Sequence, residues 1–137
     1  MNPDVWGVFH DGVITRMSGA LPGTLVLRVE IGYLRAMFDG TGTAFQIELT
    51  GCSNVRYNEY DEAPSTDLLH IEGRQPEILY VASADPLVLD CAMGTLELTY
   101  REVSIFLDTG VPVSYEELAR ACDLYWTRWQ QRVPPAK

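Results

Sequence analysis

A run of apolar residues at every second position sets the fold class of this chain. Leu25, Leu27, Val29, Ile31 and Tyr33 alternate, with Arg28 and Glu30 between them. Successive side chains on a strand project to opposite faces, so this run puts one face on a core and the other in water. Phe45, Ile47 and Leu49 repeat the pattern against Gln46 and Glu48, and Asp39-Gly40-Thr41-Gly42 lies between the two runs. Segments 24–38 and 44–50 therefore read as a hairpin.

The same period recurs along most of the chain. Val5–His10 and Val13–Ser18 flank Asp11-Gly12, a dipeptide suited to a two-residue type I′ turn. After Gly51 a short strand is expected through Val55 and Tyr57, then a polar loop over 58–67. Leu68–Ile71, Ile78–Ala82, Leu87–Cys91, the Leu96, Leu98, Tyr100 series and Val103–Leu107 read as further strands, separated by Gly- and Pro-bearing turns. Helical spacing appears once, where Tyr115, Leu118, Ala119, Cys122, Tyr125, Trp126 and Trp129 recur every three or four residues. Ser114 and Glu117 have the spacing of a capping box at its start, and Val133-Pro134-Pro135 ends it. The expected class is mainly β (α+β), an antiparallel β-sandwich or partly open barrel. It would have about 8–9 short strands, with the single C-terminal amphipathic helix packed on them.

A chain of 137 residues fits one domain, 1–137, large enough for a core without metal or disulfide staples. No apolar run approaches the roughly 20 residues that span a bilayer. Met1-Asn2-Pro3-Asp4 lacks the layout of a signal peptide, so cytoplasmic residence is expected. Cys52, Cys91 and Cys122 are widely spaced and read as buried structural thiols.

Charge is segregated. Residues 57–100 hold nine acids (Glu59, Asp61, Glu62, Asp67, Glu72, Glu77, Asp85, Asp90, Glu97) against one base, Arg74, while the segments on either side are close to neutral. Such a field repels nucleic acid and anionic membranes and favours cationic partners. No cofactor or metal is expected: the two histidines, His10 and His70, have no ligand spacing around them, and Gly40-Thr41-Gly42 leads into a strand instead of a phosphate-binding helix. Glu59, Asp61 and Asp67 lack the glycine bend and closing Glu of a calcium loop. The serines stand in no nucleophile motif.

Three functional classes remain. The first is a non-enzymatic protein-binding module offering an acidic surface to a cationic partner, its site in the 58–67 region at Glu59, Tyr60, Asp61, Glu62 and Asp67. The second is a β-domain holding a small molecule between sheet and helix, with Tyr33, Tyr100, Tyr125 and Trp126 as lining. The third is an enzyme assembled from His10, Asp11 and His70. A homodimer through a sheet edge or the helix is compatible with each. On His10-Asp11-Gly12, Tyr57-Asn58-Glu59-Tyr60-Asp61-Glu62 and Tyr125-Trp126-Thr127-Arg128-Trp129, the chain resembles uncharacterised small acidic bacterial proteins of the toxin-immunity type. That resemblance implies an immunity protein that binds and blocks a toxin.

Overall fold

The computed structural model describes residues 3–132. A 3-10 helix over Pro3–Phe9 is followed by strands β1 (Val13–Ser18) and β2 (Gly23–Glu30), helix α1 (Gly32–Arg35) and the long strand β3 (Ala44–Glu59). Helix α2 (Leu68–Arg74) precedes β4 (Ile78–Ala84), β5 (Leu87–Cys91), β6 (Gly94–Thr99), β7 (Glu102–Leu107) and β8 (Pro112–Val113), and α3 (Tyr115–Arg132) closes the order. The strands are all antiparallel and run β1-β2-β3-β6-β5-β4, with β7 on the first half of β3 and β8 on β7.

Strand β3 joins two sheets. Residues Ala44–Leu49 pair with β2 on one side while Phe45–Thr50 pair with β7 on the other; Ser53–Glu59 pair with β6. Register slips on both sides between Leu49 and Arg56, where Gly51 (φ +61°) and Asn54 (φ +57°) are left-handed. Irregularities of this kind bend a strand and increase its twist, here turning β3 from one sheet into the next. A Cβ at Gly51 would also meet the Arg101 side chain, so the bend needs glycine on two counts.

The two ends of the strand series meet. The Asp11 amide donates to the Ile78 carbonyl at 2.7 Å and the Ile78 amide to the Gly12 carbonyl at 2.8 Å. The Ile14 amide donates to Pro76 at 2.9 Å. These bonds make the assembly a partly open barrel around one core, with Phe9, Ile14, Leu27, Phe45, Ile47, Leu89, Leu96 and Leu98 fully buried. Arg28 and Glu30 lie on the outer face as the alternation requires, Arg28 Nε donating to Glu30 at 2.9 Å.

Three expected strands are corrected. Val5–His10 is the 3-10 helix: Val5, Trp6, Val8 and Phe9 are all buried, a helical spacing that no strand face accommodates. Leu68–Ile71 belongs to α2, where the Asp67 carboxylate caps the Leu69 amide at 3.1 Å and only Ile71 is buried. The hairpin arm expected to reach residue 38 stops at Glu30, because the chain turns into α1 and carries Arg35 inward. Segments 44–50 and 55–57 are one strand, and β8 is an additional short one, so the described residues hold eight strands. The capping box of α3 is formed, Ser114 and Glu117 exchanging backbone-to-side-chain bonds of 3.0 and 3.1 Å. The proposed stop at Val133-Pro134-Pro135 lies outside the described residues.

Among the described residues, Arg35 is the one fully buried charge. Its Nε donates to Asp108 Oδ1 at 2.9 Å, and its Nη atoms donate to the carbonyls of Asp39 and Thr41. Asp108 Oδ2 accepts the amides of Thr43 and Ala44 at 2.9 and 3.1 Å. A Cβ at Gly42 would run into this carboxylate, which explains glycine in that turn. Burial alone would raise the Asp108 carboxyl, but the Arg35 bond and the two amides outweigh it and hold it below the ordinary range. Asp108→Ala leaves a desolvated guanidinium unpaired and should cost about 3–5 kcal/mol, read as a lower urea midpoint at unchanged slope. The stability that Asp108 contributes is complete above its unfolded value of about 3.9 and falls as pH drops through the lower folded value. Asp108→Asn should therefore flatten the acid limb of the stability curve; an unchanged limb would contradict the assignment.

Candidate functional site

The 58–67 segment is more ordered than a polar loop. The Tyr57 and Ser65 backbones exchange bonds of 2.8 and 2.9 Å, which pins the segment back on β3. Three of the nine acids in the acidic stretch have structural roles. Asp67 caps α2, Glu72 accepts the Met17 amide at 2.8 Å, and Glu59 sits largely buried with Arg74 Nε 3.2 Å from its Oε2. That contact lacks hydrogen-bond alignment, so Glu59 Oε2 depends on the charge of Arg74 alone. Of the five expected binding residues, Glu59 is largely buried against Arg74, and Asp67, though exposed, caps α2. Tyr60, Asp61 and Glu62 are exposed, with Glu62 3.9 Å from Arg74 at the rim.

The barrel brings other residues beside these three. On the sheet made by the second half of β3 with β6, β5 and β4, Leu89, Cys91, Leu96 and Leu98 point inward, leaving Asp90, Thr95, Glu97, Asn58 and Arg56 on the outer face. Tyr80, Asp90, Thr95 and Asn58 form one cross-strand row; Val88, Glu97 and Arg56 form the next. The Asp90 carboxylate, cross-strand from Tyr80, raises its phenol above the ordinary range. At the end of this face the Tyr60 amide donates to the Met93 carbonyl at 3.1 Å. Tyr60, Tyr80 and Met93 are each about 60% exposed, the values being 63%, 59% and 61%. The candidate site is this surface of exposed Tyr and Met side chains interspersed with Asp61, Glu62 and Asp90. Sequence reasoning missed Tyr80, Asp90 and Met93 because they join Tyr60 only through strand pairing.

The aromatic side chains assigned to a ligand pocket divide into two groups. Tyr100 bonds Trp6 at 3.0 Å. Tyr33 and Tyr125 lie tilted on each other with ring centres 4.5 Å apart, Trp126 meets both edge-on, and His10 stacks on Trp126 at 5.8 Å. The space beside them, lined by Tyr33, Met37, Tyr125 and Trp129, holds about 180 Å³, below the roughly 300 Å³ at which ligand sites begin. Burial pushes the Tyr33 phenol up to about 12, mainly by desolvation with Asp11 adding to it.

His10 Nε2 lies 3.7 Å from Asp11 and its Nδ1 is 2.9 Å from the Gly7 carbonyl, while His70 is exposed on α2. Among the described residues no group of three or more His, Cys, Asp or Glu is placed to hold a metal ion. Cys52 and Cys91 are buried, with thiols pushed up to about 11 and about 12 by desolvation, which disfavours the reactive thiolate. No described helix is long and apolar enough to cross a membrane. No protein-family model, curated protein or solved structure matches the chain.

The Glu59–Arg74 pair gives a direct test of how this surface is supported. Arg74→Ala strips the buried carboxylate of its counter-charge and should destabilise the fold by about 1–3 kcal/mol. Adding Glu59→Gln should recover part of that loss in a double-mutant cycle. Additive losses would show that the two side chains do not act together.

Proposed function

We propose that this protein is a non-enzymatic binding module whose surface at Tyr60, Asp61, Glu62, Tyr80, Asp90 and Met93 receives a cationic protein. The observation that carries this reading is the combination of three large exposed apolar or aromatic side chains with acids that have little internal pairing. Tyr and Met are enriched where proteins meet, and charges at the rim set association rate and partner choice. The segregated charge of residues 57–100 supplies a long-range field of the right sign. The toxin-immunity resemblance gives the reading a biological form, in which the cationic partner is a toxin held inactive by the complex.

The experiment is a kinetic one. Partners are recovered by cross-linking in native cells, and the association rate of the recovered partner is followed across ionic strength. A positively charged partner whose association slows as salt rises is expected. The pair Asp61→Lys and Glu62→Lys should reduce the association rate about tenfold at low salt, while Glu116→Lys on α3 should leave it nearly unchanged. A partner without excess positive charge, or rates indifferent to salt and to the 61/62 pair, would overturn the proposal.

A further inference from the structure

Strand β4 leaves one side unpaired. Its first residue, Ile78, bonds Asp11 and Gly12 in the turn before β1, and the other side of β4 is paired with β5. From Leu79 to Ala84, no backbone bond to any element but β5 is made among the described residues. This stretch, Leu-Tyr-Val-Ala-Ser-Ala, has no charge and no proline. Edge strands are ordinarily protected by such residues, by bulges or by a covering element; β4 has register irregularities at Leu79 and Ala82 and the 3-10 helix across the groove, but its uncharged edge still offers a template for another strand. Between it and the 3-10 helix runs an open groove of about 720 Å³, lined by Gly7, His10 and Leu79–Ala84. Six residues of strand extend roughly 20 Å, enough for a short extended segment.

The charges around the groove select its occupant. Asp11 and Glu77 stand where β4 enters, and Asp85 is exposed where it leaves. A second copy of this chain, adding its own β4 in antiparallel orientation, would set Asp85 of one copy against Asp11 and Glu77 of the other. Like charges opposed across a strand pair are destabilising. A segment with an uncharged centre and basic residues at both ends meets an acid at each end instead. We infer that the free edge of β4 accepts an extended, lysine- or arginine-flanked segment of a partner protein as an added strand. Main-chain bonds would supply affinity and the flanking acids the preference for basic ends. This deepens the proposed function and rests on its cationic partner.

The test uses three capped synthetic peptides against the whole protein: KKTVTVTKK, the same sequence with glutamate replacing every lysine, and the lysine peptide N-methylated at alternate core residues. Amide hydrogen exchange locates the contact, and sedimentation gives stoichiometry. The lysine peptide should slow exchange of the groove-facing amides within Leu79–Ala84, one peptide per protein. The N-methylated peptide should lose that protection, and the glutamate peptide should bind at least about tenfold more weakly. Asp85→Lys should weaken the lysine peptide about two- to fivefold without altering exchange of the peptide-free protein. Lysine-peptide binding confined to Tyr60–Glu62 and Asp90 would overturn the added strand and leave the acidic-surface reading standing. Equal protection by the glutamate peptide would overturn the charge selection, and no lysine-peptide binding anywhere would overturn both. Dimers with β4 protected in the absence of peptide would overturn the choice of occupant.

Discussion

The bend in β3 decides which residues of this protein share a surface. One strand of 16 residues serves β2 and β7 with its first half and β6 with its second. The change of direction falls between Leu49 and Arg56, at two left-handed residues and two register slips. Upstream of the bend, the Arg35–Asp108 pair fastens α1, the turn before β3 and the end of β7 together. Downstream, β3 hands its free side to β6, and the outer face of β6, β5 and β4 is built from the acidic stretch of the sequence. A linear segregation of charge thereby becomes a spatial one.

Much of the fold was legible because alternation survives where one strand face is buried and the other wet. The two strands follow from the alternation of Leu25, Leu27 and Val29 and of Phe45, Ile47 and Leu49, and all six are buried; their register, Glu30 opposite Ala44, was not legible because α1 occupies the end of the expected hairpin arm. The α3 capping box was equally legible, since its two partners are three residues apart. Where reasoning failed, short apolar runs fitted two periods. In so short a run the helical spacing of Val5, Trp6, Val8 and Phe9 passes for a strand until all four are seen to be buried, and Leu68 to Ile71 is too short to distinguish the two. Asp67 fits a helix cap and an acidic surface equally well by residue type, and only the helical outcome of Leu68–Ile71 separates the two.

The site was half legible for a related reason. Tyr60, Asp61 and Glu62 are contiguous and announce themselves, but composition cannot say which acids a fold will consume. Glu59 is consumed by Arg74 and Glu72 by the Met17 amide, partners set by tertiary structure, and Asp67 by the Leu69 amide two residues on. Tyr80, Asp90 and Met93 replace them, contributed by β4, β5 and the turn after β5. The aromatic helix, by contrast, has work to do inside the molecule: Trp126 stacks on His10 and Tyr125 lies tilted on Tyr33, holding α3 against the 3-10 helix and α1. Binding on the acidic face and helix docking on the aromatic one are thus separate tasks at separate places.

The footprint of the bound partner on the amide spectrum of this protein tests the account most directly. The account predicts perturbed resonances at Tyr60–Glu62, Tyr80, Asp90 and Met93, with Tyr125, Trp126 and Trp129 unmoved. A footprint centred on the α3 aromatics, with the β4–β6 face unchanged, would contradict it.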